Sequence, residues 1–147
     1  MSRQFIITLV CVVLVFVVII TFLSTITYKS EVILNGKMFV VQVADTDYLL
    51  EKGLSGHEPL ASNQGMFFIF EKPDKYGFWM KEMKFPIDII WINSNFEIIH
   101  IEKSVRPDTY PKIFYPSSKA LYVLEIPAGQ SLKVNLKIGN SVKFVKK

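Results

Sequence analysis

The sequence is poor in the residues that most often carry catalysis or bind metals, since it has one cysteine and two histidines. Cys11 lies inside an apolar run, so the rest of the chain has neither a disulfide nor a thiol nucleophile. His57 and His100 complete no zinc-ligand spacing, and no glycine-rich nucleotide loop or Ser-His-Asp order is evident. A net charge of +4 is too small to favour nucleic-acid binding. The sequence therefore carries no common signature of a metalloenzyme, a nucleotide-binding protein or a DNA-binding protein.

The N-terminal segment, in contrast, is rich in apolar residues. An uncharged run extends from Phe5 to Ile26, with Arg3 before it and Lys29 after it. As a helix this run would be roughly 33 Å long, enough to cross the hydrocarbon core of a bilayer. A cleavable signal peptide is the alternative, but its apolar region is only about 7–15 residues long and ends at a small-residue site that is missing here. We predict that residues 1–28 are a retained membrane anchor and that residues 29–147 form a soluble domain.

The charges beside the anchor barely decide its orientation, because basic residues lie on both sides of it: Arg3 before the run, and Lys29 and Lys37 after it. No long basic cluster follows the apolar run. We therefore expect the usual signal-anchor arrangement, with the domain on the extracytoplasmic side, periplasmic or outer.

Short apolar runs that are rich in aromatic and β-branched residues predict buried strands in the soluble domain. The densest lie at 65–70, 76–81 and 85–91. Asn35-Gly36 between two apolar runs indicates a β-hairpin, because both residues tolerate positive φ. In 46–53, Thr46 can cap a short helix and Gly53 can end it.

The second half of the domain continues in the same way. Residues 96–102, 120–126, 131–138 and 142–145 predict further strands. Lys103–Lys119 carries three prolines and reads as a long loop whose aromatic residues argue against disorder. The pattern predicts a mainly β domain, a small antiparallel barrel or sandwich with one short helix.

Several motifs in this domain resemble domain-of-unknown-function family 192. They are Gly53-Leu-Ser-Gly56, Gly65-Met66, Phe78-Trp79-Met80-Lys81, Pro86-Ile-Asp88, Val123-Leu-Glu125 and Ala128-Gly129. The similarity covers about Val40 to Val145. It implies a small β-rich domain, often behind a signal or membrane segment, and implies no activity. Two positions depart from the family pattern: Glu82-Met83 replaces a typical Asn-Thr, and Asn140 replaces an Asp.

Two carboxylates, Asp88 and Glu125, fall within apolar strands. A buried carboxylate must be hydrogen-bonded, paired with a cation or protonated. One hypothesis makes the two an acid–base pair with raised pKa values, as in glycoside cleavage. The structural alternative is that Asp88 accepts backbone N–H bonds and that Glu125 pairs with Lys81 or another lysine.

A binding surface is the second hypothesis. Strand alternation places Trp79 and Lys81 on one face, opposite Phe78 and Met80. An aromatic residue beside a cation could receive a ligand, with Tyr110 and Tyr115 as a wall. The structural alternative is a core tryptophan with Lys81 reaching out to solvent.

Copper is the third hypothesis, because thioether and imidazole ligands suit Cu(I). The candidate ligands are Met66, Met80, Met83, His57 and His100. Methionine more often fills core gaps, and these residues form no ligand motif.

We favour a membrane-anchored, extracytoplasmic domain that binds a small molecule, a glycan or an envelope protein, and that needs no cofactor and no metal. Its candidate site residues are Trp79, Lys81, Asp88, Glu125, Tyr110 and Tyr115. A carboxylate-based hydrolase and a Cu(I)-binding protein are the alternatives, and an enzyme is not favoured.

The predicted topology can be tested by protease accessibility. If Phe5–Ile26 anchors an external domain, protease added to intact spheroplasts will digest that domain, because no membrane shields it. Immunoblotting against the C-terminus measures the loss, and a cytoplasmic protein that survives is the control. Survival of the domain, or release of the full-length chain by a carbonate wash, would contradict the prediction.

Overall fold

A computed structural model describes residues 12–13 and 29–146 of the chain. Almost all of the predicted anchor, Phe5–Ile26, lies outside the described residues. Within the described part, no helix is both long enough and apolar enough to span a membrane.

The domain contains nine strands, two short α-helices and one 3-10 turn in the described residues. In chain order they are β1 (Ser30–Leu34), β2 (Lys37–Ala44), α1 (Asp47–Lys52), β3 (Gln64–Asp74), β4 (Phe78–Trp79), β5 (Ile87–Ile92), β6 (Ile98–Val105), the 3-10 turn (Pro107–Thr109), β7 (Ile113–Phe114), β8 (Ala120–Pro127), α2 (Gln130–Lys133) and β9 (Val142–Val145). The prediction of a mainly β domain is confirmed.

Seven strands form one curled sheet in the order β6-β5-β8-β3-β2-β1-β9, and β4 and β7 form a separate two-stranded sheet. All pairings are antiparallel except β2 with β3, which run parallel because α1 lies in the connection between them. The two edges of the large sheet approach each other, since Glu97 before β6 bridges Ser141 before β9. The predicted barrel or sandwich is thus a half-barrel made from a single sheet.

The concave face of the sheet holds one core cluster. It is built from alternate residues of both edge regions and the centre, such as Val32, Phe39, Phe67, Leu124 and Val142, all nearly inaccessible to solvent. The opposite, convex face holds a second cluster on β3, β5 and β8. This convex cluster is covered by leucines of α1 and by Phe78 and Phe114 of the β4–β7 pair. The central strands are therefore buried on both faces, and β5 is buried at every position.

The local signals at the start of the domain are confirmed. Asn35 and Gly36 connect β1 to β2 with φ values of 45° and 82°, the left-handed conformation that a tight hairpin turn needs. The side chain of Thr46 accepts the Leu49 N–H at the start of α1, and the Gly53 N–H donates to Leu49 O at its end.

The prediction of a single helix and of a strand at 131–138 is wrong. Residues Gln130–Lys133 form α2 after Gly129, whose φ is +79°. The Ser131 N–H in the first turn of α2 donates to the Asp88 carboxylate on β5, so a long-range hydrogen bond stabilises the helical turn. As a result Ser131 is buried while Leu132 is 71% exposed, the reverse of what the predicted alternation requires.

The predicted loop Lys103–Lys119 is partly structured. Its first residues continue β6 to Val105, and Ile113–Phe114 pair with β4 as strand β7. Phe114 thereby enters the convex core, which agrees with the expectation that the aromatic residues order this segment.

Candidate functional site

A small cavity, which we call the Glu125 cavity, lies on the convex face between α1 and the segment leading into β4. Its volume is about 100 Å³. Helix α1 contributes Leu50, Glu51 and Lys52, and Met83 lines it from the turn after β4. Glu125 on β8 lines it from the sheet.

Five aromatic residues contribute to the cavity wall. Phe68 and Phe70 come from β3, Tyr76 precedes β4, and Phe78 and Trp79 form β4. Phe78 stands edge-on to Phe68 with 4.9 Å between ring centroids, whereas Phe70 and Tyr76 are stacked. Such edge-on and stacked pairs add to the stability gained by burying the rings, so the wall is held in a defined shape.

Two hydrogen bonds to backbone carbonyl groups hold the loop after α1 against the turn after β4. The Ser55 hydroxyl donates to Lys81 O at 2.8 Å, and the Gly56 N–H donates to Glu82 O at 2.9 Å. The motifs Gly53–Gly56 and Phe78–Lys81 therefore meet in space. Gly53 has a φ of +51°, and a Cβ there would stand 3.4 Å from the Phe68 ring, so glycine suits the close approach of this loop to the cavity wall.

Glu125 is the chemically unusual residue of the cavity. It is 4% exposed, and its Oε2 atom has no hydrogen-bond partner among the described residues. Its neighbours across the sheet are Met66 on β3 and Ile89 on β5, both apolar. This burial raises the pKa of Glu125 to about 8, because the ionised form loses its hydration and gains no counter-charge. The expected ion pair between Glu125 and Lys81 is not formed: the Lys81 ammonium lies 5.7 Å from the centre of the Trp79 ring.

Four exposed aromatic residues line the cavity or the outer depression beside it, or contact residues that line the cavity, and form what we call the aromatic rim: Tyr48, Trp79, Tyr110 and Tyr115. Trp79 and Tyr110 are in edge-on contact at 6.0 Å. Tyr48, Trp79 and Lys81 line an outer depression of about 290 Å³ that shares Trp79 with the cavity wall. Tyr115 packs beside Gly77, which also lines the cavity.

The predicted alternation in this segment is confirmed, because Phe78 and Met80 are buried whereas Trp79 is 42% exposed. Trp79 is thus not the core tryptophan of the structural alternative. That role belongs to Trp91, which is fully buried and donates its indole N–H to Tyr76 O.

Asp88 does not join this site. Its register partner on β8 is Ile126, and that of Glu125 on β5 is Ile89, so the two carboxylates point to opposite faces of the sheet. Asp88 accepts three backbone N–H bonds, from Ser104 at 2.8 Å, Gly129 at 3.1 Å and Ser131 at 2.8 Å. The structural interpretation of Asp88 is confirmed, and the acid–base pair with Glu125 is not formed.

The two departures from the family pattern have different consequences. Glu82 has a φ of +55°, a conformation that asparagine adopts more easily than glutamate, so the typical Asn suits the backbone better here. Asn140 keeps the acceptor that an aspartate would supply, since its Oδ1 accepts the Lys137 N–H at 2.9 Å.

The three methionines among the copper candidates lie in one region of the domain. Met66 and Met80 fill the convex core, and Met83 packs against it and lines the Glu125 cavity. His100 lies on edge strand β6 beside Trp91 and Glu102. Within residues 29–146, no three His, Cys, Asp or Glu side chains come together as a metal site. Copper binding stays an untested hypothesis.

A larger depression of about 430 Å³ lies at the start of β1, between Lys29, Val41, Leu60 and Lys146. None of its lining residues has a buried polar side-chain atom that lacks a partner in the described structure. The smaller Glu125 cavity is the better candidate, because a buried carboxyl group with an unpartnered oxygen is among its lining residues.

Of the predicted site residues, the structure groups Trp79, Lys81, Tyr110, Tyr115 and Glu125 on the convex side and places Asp88 elsewhere. Sequence reasoning missed Leu50, Ser55, Phe70, Tyr76 and Met83. The aromatic density of 65–91 was the available signal, but it did not distinguish a core from a cavity wall.

Comparisons with known proteins agree with this fold and offer no activity. The DUF192 family, described as "Uncharacterized ACR", matches residues 30–144. No curated protein matches the chain. A crystal structure from Novosphingobium aromaticivorans, described as a protein of unknown function, is 27% identical with a TM-score of 0.72 and covers 78% of this chain and 83% of its own. A Sinorhizobium meliloti structure, described provisionally as a transcription regulator, is 26% identical with a TM-score of 0.73 and covers 81% and 96%.

Substitutions of Asp88 test its structural role. We expect Asp88→Asn to be far less destabilising than Asp88→Ala, because asparagine keeps one oxygen for the backbone donors. Alanine leaves three N–H groups without their acceptor, at a cost of roughly 1–3 kcal/mol or more. Thermal melts of the full-length chain at neutral pH measure the difference. A wild type that melts below both variants would refute this role.

The raised pKa of Glu125 predicts how the stability of the domain depends on pH. The unfolded chain ionises Glu125 near its ordinary pKa of 4.5, whereas the folded chain retains the proton up to about pH 8. Between these values the unfolded state binds fewer protons, so stability falls as pH rises, by at most about 1.4 kcal/mol per pH unit. Melts from pH 5 to 9 should show this fall in the wild type and a smaller one in Glu125→Gln. Glu58→Gln, at an exposed ion pair with Lys84, is the matched control. Identical slopes in all three would contradict an uncompensated Glu125.

Proposed function

The chain belongs to the DUF192 family, for which no activity is described, and we therefore propose a function from its own geometry. The domain is a binding module that receives a small organic group in the Glu125 cavity and contacts the rest of the ligand with the aromatic rim. The ligand is a free small molecule, or a group displayed on a glycan or an envelope protein.

The observation that carries this proposal is the unpartnered carboxylate of Glu125 at the cavity wall. Buried polar groups are almost always satisfied in native proteins, and an exception calls for a physical account. Replacing Glu125 by an apolar residue of similar size would remove the desolvation cost. A ligand that supplies the missing partner explains the carboxylate, because its binding converts that cost into affinity.

The rim and the outer depression support the same proposal. Trp79 borders both spaces, so a ligand whose end occupies the cavity would pass directly over its ring. Tyr110 stands beside Trp79, and Lys81 places a cation at the same edge. Rigid aromatic residues with a polar edge bind ligands at a low cost in side-chain entropy.

Membrane attachment is a second part of the proposal. The length and apolar character of Phe5–Ile26 support an anchor, and β1 begins at Ser30, a few residues after that run. A domain held in this way at the extracytoplasmic surface would sample ligands of the cell envelope.

Fragment binding to the full-length chain tests the cavity. With ¹³C-methyl methionine, Met83 reports from the cavity, and the exposed Met38 on β2 is an internal control. We expect at least one member of a panel of short alkylamines, alcohols, amides and monosaccharides to shift the Met83 signal saturably and leave Met38 unchanged.

Trp79→Ala should weaken that binding by about 2–10-fold, the usual contribution of one aromatic contact. The control is Ile138→Ala, which removes an exposed apolar side chain that does not line the cavity. A panel in which no fragment shifts Met83 would refute the proposed function.

A further inference from the structure

Two carboxyl groups are buried in the described part of the chain, and they differ in their hydrogen-bond partners. Asp88 is compensated by three backbone N–H donors, whereas Oε2 of Glu125 has none. Among residues 29–146 no lysine or arginine forms an ion pair with Glu125. Lys52 lines the same cavity, but its ammonium lies over the Tyr48 ring, 5.6 Å from its centre. Oε2 of Glu125 is therefore an acceptor without a cationic partner in the described structure.

The aromatic residues of the cavity wall can attract a cation. The rings of Phe68, Phe78 and Trp79 border the cavity, and aromatic faces attract cations at up to about 6 Å from the ring centre. A carboxylate at the base of an aromatic wall is an arrangement that recognises an ammonium group. The polar head would donate to the carboxylate while the attached carbons contact the rings.

The size of the cavity limits what can enter. An apolar cavity of about 150 Å³ holds benzene, so a volume of about 100 Å³ accommodates roughly four or five heavy atoms. A primary ammonium on a short alkyl chain fits this volume, and the outer depression beside Trp79 and Lys81 has room for whatever the chain is attached to.

We propose that the Glu125 cavity binds a primary ammonium group carried on a short alkyl chain, such as an alkylamine or the end of a lysine-like side chain. This inference rests on the proposed function and names the ligand class of the same site. A neutral ligand that accepts a hydrogen bond from protonated Glu125 is the competing occupant, and the two classes respond to pH in opposite directions.

The sign of the pH dependence follows from the charge states. An alkylammonium stays charged up to about pH 10, so its binding requires ionised Glu125 and becomes tighter as pH rises through about 8. A neutral acceptor needs the protonated form and binds more weakly over the same range.

Other groups that face the cavity are Glu51 and Lys52 from α1 and Tyr76 from the segment before β4. The pKa of Tyr76 is raised above its ordinary value by burial and by Asp74 and Glu71, so this residue stays neutral. The flanking residues on β3 and β5, Met66 and Ile89, carry no charge.

The experiment titrates n-butylammonium chloride, and separately n-butanol, into the full-length chain at pH 6.0 and pH 8.5, with the Met83 methyl signal as readout. We expect n-butylammonium to bind at pH 8.5 at least tenfold more tightly than at pH 6.0, and at least tenfold more tightly than n-butanol. Glu125→Gln should lose about 10–100-fold at pH 8.5, the range for a charged hydrogen bond. A cooperative thermal melt like that of the wild type, with an unchanged Met38 signal, would confirm that this variant is folded.

Glu58→Gln is the matched control, because it removes a carboxylate from an exposed ion pair with Lys84 outside the cavity, and we expect its affinity to stay within threefold of the wild type. Loss of binding in Glu58→Gln, or unchanged binding in Glu125→Gln, would overturn the inference. Equal binding of n-butanol, or n-butylammonium binding that fails to tighten at pH 8.5, would also overturn the ammonium class and leave the cavity as a ligand site. A Met83 signal that responds to neither probe would also overturn the ammonium class, and the proposed function would be refuted only if the amides and monosaccharides of the fragment panel leave Met83 unchanged as well.

Discussion

The central strands β3, β5 and β8 impose the main constraint on this domain, because their paired segments carry mainly apolar side chains on both faces and these must be removed from water. The sheet removes its concave face from water by curling, so that its two edges approach each other at the Glu97–Ser141 bridge. The convex face cannot close on itself, so it is covered by α1 and the β4–β7 pair, which are short and separate elements. The Glu125 cavity lies where these covering elements meet, and the proposed site is therefore a consequence of how the sheet is covered.

The two buried carboxyl groups of this sheet, Asp88 and Glu125, differ in whether hydrogen-bond donors reach them. Asp88 on the concave side lies next to the turn that leads into α2, which supplies the N–H groups of Gly129 and Ser131, and the end of β6 supplies the N–H of Ser104. This carboxylate connects β5, the end of β6 and the start of α2, and it accounts for the helical turn at 130–133. Glu125 on the convex side is surrounded by side chains and not by turning backbone, so no comparable donors reach it. One carboxylate stabilises the fold, and the other costs stability at neutral pH and is explained more simply by a ligand.

The motifs that carry the family resemblance acquire a physical basis in the structure. Gly53–Gly56 and Phe78–Lys81 are hydrogen-bonded to each other beside the cavity, and Val123–Glu125 supplies its carboxylate. Gly65 is needed for packing, since a Cβ there would stand 2.6 Å from the Glu125 carbonyl oxygen. Gly53–Gly56, Phe78–Lys81 and Val123–Glu125 thus border one region of the convex face, whereas Pro86–Asp88 and Ala128–Gly129 meet at the Asp88 carboxylate.

The sequence by itself determined the features that depend on neighbouring residues. The Asn35-Gly36 turn, the Thr46 and Gly53 caps of α1 and the alternation of Phe78–Lys81 are local, so pattern and propensity were enough to predict them. The pairing of distant elements was decided by the tertiary structure alone. Ser131–Ile138 has the alternation of a strand but forms a helical turn, because the Asp88 carboxylate lies beside Ser131. Likewise, the alternation of side chains along one strand cannot show that Asp88 and Glu125 lie on opposite faces. Which residues of β5 and β8 share a face depends on the register between the two strands, and neither strand sets that register alone.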